Sequence, residues 1–432
     1  MKPIGVGILG CGTVGSGVVK VLTSRRNLIA ERSGVQLVLR KVAVQDIRRR
    51  RLVHLDRGLM THRVQEVLED PEIDIVVELI GGIHPAKEYV LRALEAGKHV
   101  VTANKALLAE VGEDLFNAAR RHQRELYFEA SVRGGIPIVK AIREGLIGNQ
   151  IESLYAIING TCNYILSQMT QEGIEFRQAL KEAQAKGYAE RNPALDINGN
   201  DSAHKLAILT RIAFGRSVLV KTIYTEGLSR ITANDLRYAQ ALGYSIKLLA
   251  IAKQGPKGLE ARVHPTLIPQ EHLLSSVKGV YNAIYLRGDL VGKTLFYGRG
   301  AGQMPTASAV VSDLVDLARN ITHGVSQRMS FPLNRDRSGV RPMKEVETRY
   351  YLRFLAEDRP GVLGQVTRIL GREQISIASV IQQEWGKSHR VPVVMMTHQA
   401  KEERMQRALR QIDRLSSIHG TTLAIRVDEA DL

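Results

Sequence analysis

The amino-terminal stretch reads Ile4-Gly5-Val6-Gly7-Ile8-Leu9-Gly10-Cys11-Gly12-Thr13-Val14-Gly15. This pattern predicts an apolar strand, a GxGxxG turn, and a helix that runs from Val14 to Arg26 or beyond. Glycines in such a turn allow a tight bend, a close approach of the backbone to a pyrophosphate, and close packing of helix on strand. The N–H groups at the helix start would face the phosphates. The alternative is a glycine turn in another kind of α/β protein.

The first 130 residues alternate between strand and helix patterns. Further helices include one from Pro85 to Ala96, and further strands are predicted at residues 35–44, 74–80, 98–102 and 125–129. Strands that alternate with helices imply parallel pairing. We therefore predict an α/β fold with a Rossmann-like, doubly wound parallel sheet, and place an NAD(P)-binding domain at residues 1–130.

The pattern changes after residue 130. Helices are predicted at residues 173–186, 201–214 and 232–253, whereas residues 258–300 read as strands and turns. A single apolar stripe predicts another helix at 305–320, which we expect to pack back on the nucleotide domain. These features predict a second α+β domain at residues 131–325, and the family resemblance that the site residues carry implies that it serves catalysis and dimerisation.

The last part of the chain predicts a small separate domain. Residues 326–348 are polar and basic and are interpreted as a linker. After it the element order is βαββαβ, the ferredoxin-like plan, at residues 349–432. Trp385 falls at the predicted hairpin, where an exposed turn residue and a subunit contact are both open.

The bulk composition narrows the class of protein. The chain has 432 residues, a formal net charge of +16 and two cysteines. No apolar run reaches the length of a membrane span, and the cysteines form neither a disulfide framework nor a metal pattern. The basic residues are spread widely, and no aromatic residues interleave with the densest run, Arg48–Arg51. We predict a soluble, cytoplasmic protein with neither a nucleic-acid nor a membrane partner. The positive charge is either a solvated basic face or an attraction for small anions such as nucleotide phosphates.

One loop and the helix after it carry a group of charges suited to chemistry. A helix predicted to begin near Asn200 places Asp201 and Lys205 at positions i and i+4, on one face. Glu190 and Asp196 reach the same region from the loop. An ammonium kept charged by carboxylates can stabilise the alkoxide formed by hydride transfer and supply its proton. The alternative is an ordinary ion pair at a helix start.

Two polar turns are further candidates. The first, Thr102-Ala103-Asn104-Lys105, follows a predicted strand at the edge where open α/β sheets bind ligands, so Lys105 would meet a cofactor or substrate unless it is simply solvent-exposed. The second, Asn159-Gly160-Thr161-Cys162-Asn163, lies between an apolar strand and a helix. It would either present donors to a carboxylate or cap the helix.

On these residues the chain resembles a monofunctional homoserine dehydrogenase over nearly its whole length. The matching positions are Gly187-Tyr188, Asn192-Pro193, Asp196, Gly199, Asp201, Lys205, Thr102–Lys105, Asn159–Asn163, and Gly302 with Pro305–Ala309. The resemblance implies NAD(P)H-dependent reduction of L-aspartate 4-semialdehyde to L-homoserine, on the branch to threonine, methionine and isoleucine. Two alternatives stay open: a dehydrogenase for another amino-acid aldehyde or hydroxy acid, and a non-catalytic nucleotide-binding regulator.

The resemblance also implies roles for individual residues. Lys205 would be the proton donor, and Lys105 would lie by the cofactor and the reacting carbonyl. The implied substrate site comprises Gly160, Thr161, Tyr188, Glu190, Asp196, Asp201 and Lys205. The implied cofactor site comprises Gly10, Gly12, Thr13, Val14, Gly15, Arg48, Thr102, Lys105 and Gly302.

The cofactor choice depends on the end of the second strand, Val44-Gln45-Asp46. An acid there usually binds a ribose hydroxyl and favours NAD, whereas a nearby arginine accepts the 2′-phosphate of NADP. Family members often carry arginine where this chain has Gln45. Arg48–Arg51 would compensate, and we predict NADP in preference to NAD.

Residues 129–137 resemble the monovalent cation site of the family. The ligands would be the carboxylate of Glu129 and the backbone carbonyls of Val132, Gly134 and Ile136, a hard oxygen set that suits sodium. Arg133 stands where a small residue is expected, and an inward guanidinium would repel the cation.

The C-terminal domain resembles an ACT domain because of Glu357-Asp358-Arg359-Pro360-Gly361-Val362-Leu363. An acid, proline and glycine at a helix start make an amino-acid pocket. The resemblance implies threonine as effector, bound by Asp358, Pro360, Gly361, Val362 and Leu363, and a homodimer or homotetramer. The alternative is a dimerisation module without a ligand.

Overall fold

The computed structural model describes residues 3–132, 134–325, 339–382 and 389–429. Arg133, Trp385 and residues 326–338 of the predicted linker lie outside the described residues. The chain divides into two compact units. The first unit comprises residues 1–151, 204–222 and 287–337, and the second comprises residues 152–203, 223–286 and 338–432.

The strands of the described residues, in chain order, are β1 (Ile4–Leu9), β2 (Leu37–Ala43), β3 (Met60–Thr61), β4 (Ile75–Glu78), β5 (His99–Thr102), β6 (Leu126–Tyr127), β7 (Ile151–Ile157), β8 (Tyr224–Thr225), β9 (Tyr244–Gly255), β10 (Gly258–Pro269), β11 (Tyr281–Gly288), β12 (Gly292–Arg299), β13 (Glu347–Glu357), β14 (Ile377–Gln382), β15 (Arg390–Thr397), β16 (Ala400–Lys401) and β17 (Ile418–Val427). Their helices are α1 (Thr13–Ser24), α2 (Arg26–Ser33), α3 (Gln65–Leu68), α4 (Ala86–Glu95), α5 (Lys105–Arg121), α6 (Glu129–Val132), α7 (Ile138–Lys140), α8 (Gly160–Glu172), α9 (Phe176–Ala185), α10 (Ala194–Ile197), α11 (Asn200–Phe214), α12 (Ala233–Ala241), α13 (Gln303–Thr322), α14 (Val362–Arg372) and α15 (Glu402–Ile412).

The first unit is built on a parallel sheet with the order β3-β2-β1-β4-β5-β6. Every strand pair in it is parallel, as the alternation of strands and helices predicts. The chain changes direction across the sheet between β1 and β4. In open sheets of this kind, ligands bind outside the carboxyl ends of the strands at such a switch point.

Helices α1 and α13 pack against each other on this sheet. Val18 of α1 and Val310 and Leu314 of α13 belong to one buried core with β1. A Cβ atom on Gly17 would lie 2.9 Å from the backbone oxygen of Gln303, so only glycine permits this close approach of the two helices. The segment 305–320 therefore contributes to the core under the glycine turn.

The second unit contains a long sheet that continues into the C-terminal part of the chain. Its strands follow the order β11-β7-β9-β10-β17-β13-β15-β14. The C-terminal strand β17 pairs in parallel with β10 at Thr266–Arg426 and Leu267–Val427. Helices α14 and α15 cover the C-terminal strands with a buried apolar core, which completes the predicted ferredoxin-like arrangement.

The predicted helix at 232–253 is wrong. Helix α12 ends at Ala241, and Gly243 follows with a φ of +85°. The chain then forms β9, which pairs antiparallel with β10 from Tyr244–Pro269 to Gly255–Gly258. The middle of β9 is buried on both faces, and a continuous apolar run of this kind cannot be told from a buried helix by periodicity.

None of the helices in the described ranges combines the length and the apolar composition that a membrane-spanning segment requires.

Candidate functional site

The three glycines of the turn have different surroundings. Gly10 and Gly15 pack closely against the backbone, whereas Gly12 faces open space. A Cβ atom would lie 2.7 Å from the carbonyl oxygen of Leu79 if added to Gly10, and 2.3 Å from the carbonyl oxygen of Gly10 if added to Gly15. A Cβ atom on Gly12 would meet nothing within 4 Å. Gly12 is also the N-cap of α1 and offers no side chain to the first-turn N–H groups. The helix start therefore presents N–H groups and space to a phosphate.

Gly302 starts α13 in the same way, with a φ of +124° and no side-chain cap. Its carbonyl accepts the N–H of Thr306 at 3.1 Å. A Cβ atom on Gly134 would lie 2.5 Å from Oγ1 of Thr306, so the start of α13 packs closely on the segment that holds the predicted cation ligands.

Glu78, at the carboxyl end of β4, joins two loops of the first unit. Its side chain is fully buried. Oε2 accepts the hydroxyl of Thr102 at 2.6 Å, and Oε1 accepts the N–H of Ile80 at 2.8 Å and that of Gly81 at 3.3 Å. Glu78 is not among the site residues predicted from the sequence. An acidic residue inside an apolar strand run was the available signal.

Lys105 is the first residue of α5 and is half-buried. Asn104 holds it in place as the N-cap, since Oδ1 accepts the N–H of Leu107 at 3.1 Å. The Asn104 amide donates to the carbonyl of Gly82 at 2.6 Å, and its backbone N–H donates to Thr102 Oγ1 at 3.0 Å. These bonds hold the backbone that carries Lys105 in place after the carboxyl end of β5.

Lys205 lies on α11, which contacts α5. Nε2 of His204 is 3.5 Å from Oε1 of Glu110 on α5. Two helical turns further on, Arg211 lies 3.8 Å from Glu113, and its guanidinium carbon is 5.1 Å from the centre of the Phe116 ring. The two predicted catalytic lysines are therefore carried by neighbouring helices of the first unit.

Asn159 brings two of the predicted carboxylates together in the second unit. Its Oδ1 accepts the N–H of Cys162 at 2.8 Å, so Asn159 caps α8. Its Nδ2 donates to Oδ1 of Asp196 at 2.7 Å and to Oδ2 of Asp201 at 2.9 Å. Asp201 is only 3% exposed and begins the helix that continues to Lys205. The sequence analysis named the Asn159 turn but not this bridging role.

The other predicted substrate residues line the neighbouring turn. Thr161 Oγ1 donates to the carbonyl of Tyr188 at 2.6 Å, and the Tyr188 ring lies 4.9 Å from that of Tyr164. A Cβ atom on Gly160 would lie 2.8 Å from a backbone oxygen, so this helix start packs tightly. Glu190 is exposed, and among the described residues no hydrogen bond or ion pair joins its carboxylate to the other two acids.

Glu129 and Asp313 form a buried acidic pair in the first unit. The Glu129 oxygens accept the N–H groups of Val139 at 2.9 Å and Lys140 at 2.8 Å, and its own N–H donates to Asp313 at 2.9 Å. Burial raises the pKa of Glu129, and burial together with the Glu129 charge raises the pKa of Asp313 well above its usual range. Two such carboxylates fit a nearby cation, because a positive charge would offset their repulsion.

The remaining cation ligands would be backbone carbonyls. The Ile136 carbonyl already accepts the N–H of Ile138 at 2.8 Å. Within the described residues no group of three or more His, Cys, Asp or Glu side chains is arranged to hold a metal. A cation beside Glu129 would therefore depend on carbonyl oxygens for most of its ligands.

An arginine-rich cleft of about 800 Å³ follows β2, lined by Arg49, Arg50, Arg51, His54 and Arg57 among others. The Arg51 guanidinium donates to the carbonyls of Ile47 at 3.2 Å and Arg49 at 2.8 Å, and also to that of Asp46. The Asp46 carboxylate accepts the N–H of Arg48 at 2.8 Å. The arginines in and beside the cleft therefore outnumber the two acids, Asp46 and Asp56.

The second unit contains a cleft of about 420 Å³ that is lined by all five predicted effector residues, Asp358, Pro360, Gly361, Val362 and Leu363. Gly361 has a φ of +88° and starts α14 without a side-chain cap. Gln382 Nε2 donates to Oδ1 of Asp358 at 3.3 Å across the cleft. An uncapped helix start beside an acid can bind both ends of an amino acid.

Three family models match the chain in sequence. The model described as "Homoserine dehydrogenase, NAD binding domain" matches residues 10–129, "Homoserine dehydrogenase" matches residues 137–315, and "ACT domain" matches residues 350–416. The chain is 46% identical over 436 residues to the homoserine dehydrogenase of Pseudomonas aeruginosa, with 99% of this chain and 100% of the relative covered. It is 42% identical over 432 residues to that of Neisseria gonorrhoeae, with 99% of each covered.

The similar solved structures include homoserine dehydrogenases. A homoserine dehydrogenase from Thiobacillus denitrificans matches with a TM-score of 0.92 and 47% identity over 99% of both chains. A hyperthermophilic archaeal homoserine dehydrogenase in complex with NADPH matches with a TM-score of 0.61 and 26% identity, over 74% of this chain and 98% of that one. The chain therefore belongs to the homoserine dehydrogenase family of oxidoreductases, with an NAD-binding domain and a C-terminal ACT domain.

Proposed function

We propose that the chain reduces L-aspartate 4-semialdehyde to L-homoserine with NADPH as hydride donor and Lys205 as proton donor. One observation carries this proposal: the helix of Lys205 is held by His204 against α5, which begins with Lys105 at the ligand-binding edge of the parallel sheet. Family membership supports the reaction, and this packing supports the residue roles.

The chemistry needs a group that stabilises an alkoxide and then protonates it. A bound reduced nicotinamide would supply a hydride to the aldehyde carbon, which would leave negative charge on the aldehyde oxygen. An ammonium beside that oxygen stabilises the charge and donates the proton. Asp201 lies four residues before Lys205 in the same helix, a spacing that places the two residues on one helix face.

Carboxylates provide recognition of the substrate ammonium. Asp196 and Asp201 are held side by side by the Asn159 amide, which leaves them as a rigid acidic pair. Glu190 is exposed on the preceding loop and is proposed to complete the site with Gly160, Thr161 and Tyr188. The Thr161–Tyr188 hydrogen bond supports this, because it joins the loop to the start of α8.

For the cofactor, we propose that the pyrophosphate lies on Gly10–Gly15, with Thr102 and Lys105 beside it and Gly302 toward the nicotinamide. The preference for NADP over NAD is supported by the arginine-rich cleft after β2, which supplies positive charge for a 2′-phosphate together with Arg48. Sodium is proposed at Glu129 with the carbonyls of Val132, Gly134 and Ile136. The buried Glu129–Asp313 pair supports it.

For regulation, we propose that threonine binds the cleft at Asp358–Leu363. Two contacts inside the second unit support a route from this cleft to the rest of the unit: Arg426 on β17 lies 2.7 Å from Glu226, and Arg353 on β13 lies 2.5 Å from Asp235 of α12. We also propose the domain boundaries 1–130, 131–325 and 349–432, and a cytoplasmic homodimer or homotetramer.

The test is an assay of the purified chain with aspartate 4-semialdehyde and either NADPH or NADH, followed by loss of reduced-cofactor absorbance, with and without threonine. Turnover with NADPH above that with NADH, and inhibition by threonine, is the expected result. Absence of turnover with both cofactors would overturn the proposed reaction. Turnover unaffected by threonine would overturn only the regulatory part.

A further inference from the structure

A second cleft in the second unit is lined by none of the residues predicted to bind substrate, cofactor or effector, and it contains two lysines. It encloses about 540 Å³ between α8, α12, β9 and the turn before β11. Two lysines, Lys247 and Lys278, line it, and the other side chains that line it are apolar or uncharged and polar. Among the described residues that line it there is no Asp or Glu.

Lys247 is the unusual member of this cleft. It lies on β9, and the residue is only 6% exposed. Its Nζ donates to the carbonyl of Val277 at 2.5 Å and to Oδ1 of Asn163 at 3.4 Å. Both partners are neutral, and in the described residues no carboxylate lies within ion-pair distance of this ammonium. A buried charge without a counter-charge is strongly disfavoured.

Lys278 adds a second positive charge to a cleft whose lining contains no Asp or Glu among the described residues. It is exposed on the turn beside the cleft, one residue after the carbonyl that Lys247 contacts. Burial, with the Lys278 charge as a second cause, lowers the pKa of Lys247 to about 8. A bound anion would offset both the burial of one ammonium and its repulsion by the other.

We propose that this cleft binds a small oxyanion, a phosphate or a carboxylate group, held between the ammonium groups of Lys247 and Lys278. The site is separate from the residues assigned to substrate, cofactor and effector, and the proposal does not depend on their roles. Asn163 also donates to the carbonyls of Val277, Gly279 and Tyr281 at 3.0 to 3.2 Å, so the turn is already shaped before an anion arrives.

The experiment measures thermal unfolding of the full-length protein in inorganic phosphate, in succinate, and in sodium chloride of equal ionic strength. We expect phosphate or succinate to raise Tm above the chloride value, in a saturable manner. The Lys278→Ala variant should lose most of this rise, and Lys247→Met should lose all of it. The anion that gives the larger rise identifies the ligand chemistry.

Phosphate can also bind the arginine-rich cleft of the first unit, so Arg50→Ala is the matched control and should keep the rise. If Lys247→Met does not fold, Lys278→Ala decides, because Lys278 is exposed. A second readout is acetylation of lysines by mass spectrometry, in which saturating phosphate should slow labelling of Lys278 several-fold but not that of the exposed Lys181. Equal Tm rises in wild type and Lys278→Ala, or unchanged labelling of Lys278, would overturn the proposal.

Discussion

Helices α1 and α5 begin at the same edge of one parallel sheet, but they begin differently. α1 starts at Gly12, which has no side chain to cap the helix and faces open space. α5 starts at Asn104, whose side chain accepts a first-turn N–H and whose amide is tied to Gly82. An uncapped start leaves its N–H groups to an anion, whereas a capped start uses them to hold a side chain still. The first type suits a cofactor phosphate, and the second positions Lys105.

The C-terminal part of the second unit repeats the first type of helix start. Gly361 begins α14 without a side-chain cap, beside the effector cleft. By contrast, Asn159 caps α8 and at the same time holds Asp196 and Asp201. The glycine starts at Gly12 and Gly361 therefore mark proposed sites for ligand anions, whereas the asparagine starts hold side chains proposed to contact the substrate.

The largest expected effect concerns Lys205, on the helix that contacts the middle of α5. Lys205→Ala should lower kcat by about 10³-fold, because the general acid proposed to protonate the alkoxide is lost. KM for the cofactor should change little. Steady-state kinetics test this, with the exposed Lys181→Ala as the matched control. Near-normal turnover in Lys205→Ala would contradict the assigned role.

Converting the uncapped start into a capped one should have the next largest effect. In Gly12→Asp, a carboxylate would cap α1 and occupy the space proposed for the pyrophosphate. We expect cofactor affinity to fall by about 100-fold, because the anion loses the helix N–H groups and meets a like charge. The unliganded protein should be no less stable, since the Cβ position is open.

Fluorescence titration with NADPH and thermal unfolding together check this substitution. The control is Gly148→Asp, an exposed glycine of the same unit with equally open surroundings. Unchanged cofactor affinity in Gly12→Asp would place the pyrophosphate elsewhere.

Removing the Asn104 cap from α5 should have a smaller effect, which extends to both stability and turnover. Asn104→Ala is expected to lower the free energy of unfolding by about 1 kcal/mol, typical of a lost N-cap. It should also lower kcat by roughly tenfold, because a small displacement of Lys105 degrades its alignment. Asn104→Asp restores the acceptor but not the bond to Gly82, so it should recover stability more fully than turnover. Equal recovery of both would argue that the Gly82 contact has no positioning role.

The smallest expected effect is on the pH dependence of stability. Burial, aided by Arg124, lowers the pKa of His99 on β5 to about 4. The unfolded chain, with a histidine pKa of about 6.5, then binds the proton more readily than the folded chain. This stability contribution is therefore complete above pH ~6.5 and is lost as the pH falls toward 4. Chemical denaturation from pH 7 to 4 should show a flatter decline in His99→Gln, and an identical slope would contradict the assignment.

Local signals in the sequence were sufficient for much of the first unit. The GxGxxG turn, the strand and helix order, and the Thr102–Lys105 turn depend on neighbouring residues, and the parallel sheet follows from their alternation. Local periodicity does not identify β9, because an apolar run that is buried on both faces is also typical of a buried helix. The helix prediction overlooked Gly243, whose positive φ ends the preceding helix.

Long-range contacts explain what the sequence analysis missed. Glu78 meets Thr102 from 24 residues away, and Asn159 meets Asp196 and Asp201 from 37 and 42 residues away. Each is a polar residue inside an otherwise ordinary strand end or turn. Its role becomes visible only when folding brings its partners within hydrogen-bonding distance.

The amino-acid sequence by itself determined the family, the parallel nucleotide-binding sheet and the residue types for hydride chemistry, because these depend on short motifs and local periodicity. Only the tertiary structure decided that Lys205 lies on a helix that contacts α5. It also decided that the Asn159 amide binds two carboxylates, and that Lys247 is buried with no carboxylate within ion-pair distance among the described residues. Burial and charge pairing are properties of three-dimensional neighbours, and distant parts of the chain become neighbours only on folding.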